Sequence, residues 1–189
     1  MSEQSGMSRR RLLVRVMRYF FLIFFLAFAW LGLRFVFSGG GQPRSLPTQR
    51  VPLTDVAPGE HKIIDWQGRP VLILNRTPAM QAALQAQDPA LLRDPLGEDS
   101  EQPSVMLQPW RSRDRQWLVV LSVGTDLGCP VQPAAQAALP PGLSGGLRDT
   151  CRGSFYDLAG RVLRDQQAGR NLPVPDYRID GEVLVLGAQ

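Results

Sequence analysis

The sequence predicts a mostly-β head with one helical insertion, carried on a tether behind a single N-terminal membrane helix. Three observations lead there. An apolar stretch of membrane length lies near the N-terminus, three consecutive glycines follow it, and the remainder shows short apolar runs bounded by turn residues.

Tyr19 to Leu33 reads YFFLIFFLAFAWLGL, without a charge, and Phe35, Val36 and Phe37 continue it beyond Arg34. A span needs roughly 20 apolar residues, and an arginine near its end snorkels to the interface, so residues 16–37 are expected to cross the membrane. The competing reading is a cleaved signal peptide, whose apolar region is shorter and ends in small residues; the bulky Phe-Val-Phe ending opposes it. Residues 1–15 form a basic N-terminus with Arg9, Arg10, Arg11 and Arg15, and Arg18 follows. That bias expects the N-terminus in the cytoplasm and the head outside. Ser8-Arg9-Arg10-Arg11-Leu12-Leu13 also matches a twin-arginine export signal, though any arginine-rich flank gives that match.

The net charge of +4 belongs to the same end. Residues 1–50 hold eight arginines against Glu3, a balance of +7, which leaves −3 for residues 51–189. No basic stripe remains to follow a phosphate backbone, so nucleic-acid binding is not expected. Residues 38–50, opening with Ser38-Gly39-Gly40-Gly41, are expected to be a flexible tether, since consecutive glycines do not hold a helix.

The head, expected over 51–189, carries apolar runs at His61–Trp66, Pro70–Leu74, Trp117–Val123 and Glu182–Leu186, with turns at Gly68 and Asp180-Gly181. These read as strands. Thr77-Pro78 before Ala79–Ala86 supplies a cap, a first-turn proline and good helix formers. From Gln87 to Arg115 a charged, proline-dotted excursion separates strands. His61 is the chain's one histidine, which leaves neither a Ser/His/Asp triad nor a conventional zinc site. Met80 and Met106 read as core or insertion filler. The cysteines, Cys129 and Cys151, lie on the expected non-cytoplasmic side, where a disulfide closing 22 residues stabilises by about 3 kcal/mol. A thiol–disulfide activity is the alternative, without a Cys-x-x-Cys arrangement to favour it.

Two stretches carry a family resemblance: Val123-Gly124-Thr125-Asp126-Leu127-Gly128-Cys129, and Asp149-Thr150-Cys151-Arg152-Gly153-Ser154-Phe155-Tyr156-Asp157-Leu158-Ala159-Gly160-Arg161-Val162. They resemble the two cluster-binding loops, CTHLGC and CPCHGSxYDxxGRV, of the Rieske iron–sulfur subunit of ubiquinol–cytochrome c reductase. LRDPLGEDSEQP, WLVVLSV, Ser144-Gly145-Gly146 and NLPVPDY are similar to the proteobacterial form as well. The resemblance implies a Rieske-type antiparallel β-sandwich head, one helix-loop insertion and a small former cluster-binding subdomain over about 124–170.

It also implies where ligands would stand. A Rieske centre takes two cysteines on one iron and two histidines on the other. Those positions fall on Gly124, Asp126, Asp149 and Arg152, and none of these side chains reproduces that ligation. Glycine has no side chain, a guanidinium stays protonated, and carboxylates do not replace soft thiolates and imidazoles. No cofactor is therefore expected. The resemblance implies a Cys129–Cys151 disulfide clamping the loops, with Ser154 and Tyr156 at the positions of the hydroxyls that neighbour the cluster. In the third loop, Asp165, Gln166, Gln167 and Gly169 stand where the family has glycine and prolines. An ion pair of Arg152 with Asp126, Asp149 or both is expected to occupy the space, solvated loop residues being the alternative. A carboxylate metal site at Asp126 and Asp149 is disfavoured by the adjacent arginine.

The expected function is a structural, assembly or regulatory component of a respiratory membrane complex, of cytochrome bc type or a terminal oxidase, without catalysis or electron transfer of its own. The alternative is a redox-active [2Fe–2S] subunit of ubiquinol–cytochrome c reductase. The expected location is the bacterial inner membrane, single-pass, with the head in the periplasm.

Overall fold

The computed structural model describes residues 3–38, 47–106 and 109–187. Two compact units are present, residues 1–45 and 46–189. In the first, helix α1 runs Glu3–Ser38, so the basic segment expected ahead of the span is itself largely helical. Within α1, Leu12–Arg34 is the one stretch among the described residues long and apolar enough to cross a membrane, 23 residues against the expected 16–37. At 1.5 Å per residue that is about 35 Å of helix, enough for a hydrocarbon core of about 30 Å.

Among the described residues the head holds three antiparallel sheets of three strands each. The first has the order β1 (Gln49–Pro52), β9 (Val183–Leu186), β8 (Tyr177–Asp180). The second is β2 (His61–Trp66), β3 (Arg69–Asn75), β4 (Trp117–Leu121). The third is β5 (Val131–Pro133), β6 (Leu147–Asp149), β7 (Phe155–Tyr156).

The apolar runs seen in the sequence became β2, β3, β4 and β9. Val119, Val120 and Val71 to Ile73 are wholly buried, as expected of strands without polar alternation. The β2–β3 hairpin turns through Gln67 and Gly68 at φ 57° and 75°. Two positive φ values give the turn whose twist matches that of the strands, and Asp65 Oδ1 accepts the Gly68 N–H at 3.1 Å. Helix α2 (Pro78–Ala86) starts at Thr77, whose Oγ1 accepts the Met80 N–H at 3.2 Å.

Three expectations need correction. The tether, expected over 38–50, lies mostly outside the described residues, but Gln49 and Arg50 belong to β1 and pair with Leu186 and Val185. The buried Val51 next to them explains why this backbone is recruited to the sheet. The strand expected over Trp117–Val123 ends at Leu121, Val123 forming only an isolated bridge with Pro130. Glu182, expected to open the last strand, precedes β9 as part of the turn.

The charged excursion 87–115 is fastened to the core by polar groups. Asp94 Oδ1 accepts the Gly97 and Glu98 N–H groups at 2.8 and 2.9 Å, and its Oδ2 accepts the Asp99 N–H at 3.1 Å and the Ser100 hydroxyl at 2.8 Å. Arg111, fully buried, donates to the Ala159, Gly160 and Leu172 carbonyls at 3.1, 3.0 and 2.7 Å. Arg76 is equally buried and donates to the carbonyls of Trp110, Leu158, Asp114 and Trp117. Met106 is wholly buried, while His61 is exposed at the start of β2.

Tyr177, fully buried on β8, accepts the Arg113 N–H at 3.0 Å, and burial pushes its hydroxyl up to about 12. The unfolded chain ionises this group near pH 10, so the folded state binds the extra proton between pH 10 and 12. Stability conferred by the neutral phenol is complete below pH 10 and is expected to fall by about 3 kcal/mol as pH rises to 12. Arg76 and Arg111, which burial lowers to about 10, titrate in the same interval with the opposite sign. The sign is therefore checked by the difference in pH slope between urea melts of the unaltered chain and of Tyr177→Phe.

Candidate functional site

The two motif loops meet at the third sheet. In the first loop the Gly124 N–H donates to Cys129 O at 2.8 Å and the Gly128 N–H to Gly124 O at 3.1 Å. Gly128 sits at φ 70°, a value that suits glycine there. In the second, the Asp149 N–H donates to Ser154 O at 2.9 Å and the Gly153 N–H to Asp149 O at 3.1 Å. Thr150 joins them, its N–H and its Oγ1 both reaching Pro130 O at 3.0 Å. Register places Val131 opposite Asp149 in the β5–β6 pair. A disulfide links Cys129 and Cys151 across a Cα separation of 6.0 Å.

Asp149 is the centre of this arrangement. The residue is 1% exposed, and Oδ1 accepts the N–H groups of Cys151 and Arg152 at 2.7 and 3.0 Å. Two such charge-assisted bonds hold the turn of the second loop closed. Oδ2 is buried with no hydrogen-bond partner among the described residues. It lies over Gly124, where a Cβ would stand 2.5 Å away. The carboxylate therefore occupies room that only glycine at 124 leaves.

Arg152 turns the other way. Its Nε lies 3.3 Å from Asp126 Oδ2, and its Nη1 donates to Gln167 Oε1 at 3.2 Å. Of the two pairings weighed for Arg152, the side-chain contact is with Asp126. Asp149 meets the Arg152 backbone instead, because its carboxylate is turned inward under the loop. At 45% and 27% side-chain exposure the Arg152–Asp126 pair is worth at most about 1 kcal/mol. Its role is to link the first loop to the third, through Gln167.

Ser154 is buried, and its Oγ accepts the Ala168 N–H at 3.2 Å. Tyr156 is wholly buried; its hydroxyl accepts the Thr125 N–H at 3.4 Å, and burial raises it above the usual tyrosine range. Gln166 Oε1 accepts the Phe155 N–H at 3.2 Å. Both glutamines thus brace the third loop against the second.

The base of the site rests on residues whose role the sequence did not disclose. Arg161 Nε meets Asp157 Oδ2 at 2.7 Å with both side chains almost fully buried. Asp157 Oδ1 accepts the Ala159 and Arg161 N–H groups at 2.8 and 2.9 Å. Asn171 accepts the Val162 N–H and donates to Asp94 O, each at 2.8 Å. The Asp-x-x-Gly-Arg run was the available signal: an acid and a base four apart around a glycine at φ 70° make a self-capped turn.

No protein-family model matches the chain. Among curated proteins it is 35% identical over 142 residues to the ubiquinol–cytochrome c reductase iron–sulfur subunit of Rhodospirillum rubrum, covering 75% of this chain and 71% of that protein. The chain belongs to the Rieske iron–sulfur subunit family. The corresponding subunit of Allochromatium vinosum is 35% identical over 71% of this chain and 66% of its own length. The mitochondrial cytochrome b–c1 complex Rieske subunit of Saccharomyces cerevisiae is 34% identical, 72% of this chain matching 56% of that longer protein. A solved hyperthermophilic respiratory complex III chain aligns with 89% of this chain at a TM-score of 0.43 and 14% identity, too low to carry an argument.

The residues present do not fit the family's [2Fe–2S] cluster. Of the four residues at which the family resemblance implies ligands, Gly124 offers no donor and Arg152 offers only protons. Asp126 is engaged by Arg152, and Asp149 fills the side-chain space at 124 where a thiolate would have to stand. Gly124→Ala is expected to force that carboxylate aside and destabilise the head by about 1–3 kcal/mol. Adding Asp149→Ala is expected to relieve part of that loss, and a double-mutant cycle from urea melts measures the coupling.

Proposed function

We propose that this protein is a Rieske-like head without a [2Fe–2S] cluster, kept for its shape as a structural, assembly or regulatory component of a respiratory membrane complex. The single observation that carries the reading is the burial of the Asp149 carboxylate against Gly124. The two positions complement each other, acid into glycine, instead of presenting two thiolates to one iron. Around them the disulfide, the Asp149 turn and the Arg152–Asp126–Gln167 link hold three loops together with protein groups alone. In this reading the chain is not an enzyme, moves no electron and holds no cofactor.

The relatives named as subunits of ubiquinol–cytochrome c reductase or the cytochrome b–c1 complex favour a cytochrome bc-type partner, and a terminal oxidase is the other partner that fits. The apolar stretch Leu12–Arg34 and the arginines before it support a single-pass anchor in a bacterial inner membrane, N-terminus inside, head in the periplasm. Residues 1–15 are then the cytoplasmic segment, and the chain between anchor and β1 is the tether.

The same relatives support a second reading, a redox-active subunit. It requires four unsuitable residues to be replaced as ligands at once, which the donor chemistry opposes.

Tagged protein purified from detergent-solubilised native membranes tests the partnership. The proposal expects cytochrome b or oxidase subunits to co-purify. A preparation that carries no respiratory subunit contradicts it.

A further inference from the structure

We infer that reduction of the Cys129–Cys151 disulfide opens a zinc site, in which both thiolates and the Asp149 carboxylate bind one Zn²⁺ with water as the fourth ligand. This site uses neither Gly124, Asp126 nor Arg152, and it does not rest on the proposed function.

Three observations converge on it. The two sulfurs and a carboxylate oxygen of Asp149 all lie within 4.8 Å of one another. Asp149 is 1% exposed, and its Oδ2 has no hydrogen-bond partner among the described residues. Its Oδ1 accepts two N–H groups, so the carboxylate keeps an uncommitted oxygen with which to meet a cation. Two thiolates, a carboxylate and a water form a tetrahedral set suited to Zn²⁺, a borderline-soft ion that accepts sulfur and oxygen together.

The loops do not depend on the disulfide alone for their approach. Thr150 bonds Pro130 O through both its N–H and its Oγ1, and Asp149 stands opposite Val131 in the β5–β6 ladder. Cys129 and Cys151 each adjoin one of those contacts, so the released thiols stay facing. Access is available as well, because Cys151 lies on the exposed side of the pair.

The chemistry balances with a dithiol as reductant. Its thiolate attacks the exposed sulfur, a mixed disulfide forms, and its second thiol resolves this. The dithiol leaves as its own disulfide, and two electrons and two protons remain on Cys129 and Cys151. Zn²⁺ then displaces those two protons to solvent. The oxidised protein lacks both thiolates and so lacks the site.

Co²⁺ is the probe, added to full-length protein in detergent micelles before and after dithiol reduction, with Zn²⁺ as competitor. The expected result is thiolate-to-cobalt charge-transfer absorption saturating at one Co²⁺ per reduced chain, removed by Zn²⁺ and absent from the oxidised protein. Asp149→Asn, which keeps the side-chain volume and one acceptor oxygen, is expected to weaken Co²⁺ binding at least about tenfold, the scale of losing supporting contacts at a metal site. Circular dichroism follows the fold of each form. Reduced protein without that absorption, reduced protein that loses its β-sheet signal, or Asp149→Asn binding as tightly as the unaltered chain would each overturn the inference.

Discussion

Arg111→Leu is expected to destabilise the head by about 3–5 kcal/mol, a large share of the 5–15 kcal/mol that holds a typical domain together. The guanidinium is fully buried and pairs with no carboxylate among the described residues; it donates to the carbonyls of Ala159, Gly160 and Leu172 and to Gln102 Oε1 at 2.7 Å. Burial lowers its pKa to about 10, with Asp157 and Asp94 opposing the shift, so the group stays charged at neutral pH. Leucine removes every donor and leaves the Ala159 and Leu172 carbonyls buried without it, while Gly160 O keeps the Leu172 N–H at 2.8 Å. Each orphaned acceptor costs about 1–3 kcal/mol. Lysine is not expected to rescue, since one ammonium does not span the forked geometry. Urea melts of the full chain followed by circular dichroism measure the loss, and a change below 1 kcal/mol would assign Arg111 no role in anchoring the insertion.

Removing both cysteines, Cys129→Ala with Cys151→Ala, is expected to lower stability by about 3 kcal/mol, the loop-closure entropy for a separation of 22 residues. The head is expected to stay folded, because the large core cluster draws on all three sheets and does not run through the disulfide. Val71, Leu118, Val131, Leu147 and Leu184 belong to that one cluster. The loss is expected to be local, with faster amide exchange at Gly124–Cys129 and Asp149–Ser154 and unchanged protection on β3 and β4. Uniform loss of protection would mean that the third sheet folds only with its clamp.

How far this was legible in the sequence differs by element. Runs such as LVVL and VLIL, buried on both faces, declare strands by composition, and Thr77-Pro78 declares the start of α2. Gln49–Pro52, Val131–Pro133 and Tyr177–Asp180 do not. They are three or four residues long, include Arg50, Gln132 and Arg178, and become strands only through their partners, which for Gln49–Pro52 lie at the far end of the chain, for Val131–Pro133 at Leu147–Asp149, and for Tyr177–Asp180 just past the Asp180-Gly181 turn. Nor does a charged segment reveal which arginines turn inward: Arg76 and Arg111 look like Arg113 and Arg115 until the carbonyls that receive them are in place.

At the site, residue chemistry was readable where geometry was not. That glycine and arginine cannot bind iron follows from their side chains alone. That Asp149 folds into the room left by Gly124, while Arg152 swings to Asp126 and Gln167, depends on loop conformations set by Gly128, Gly153 and the β5–β6 pairing. Tyr156 and Ser154 are recognisable by motif position. Their hydrogen bonds to Thr125 and Ala168 tie loop to loop.

Electron paramagnetic resonance with iron analysis, on protein produced in iron-replete cells and purified with its membrane anchor, tests the central claim most directly. The account predicts no reduced Rieske signal and iron far below two atoms per chain, the complement of a [2Fe–2S] cluster. A Rieske signal accompanied by two irons per chain would contradict it.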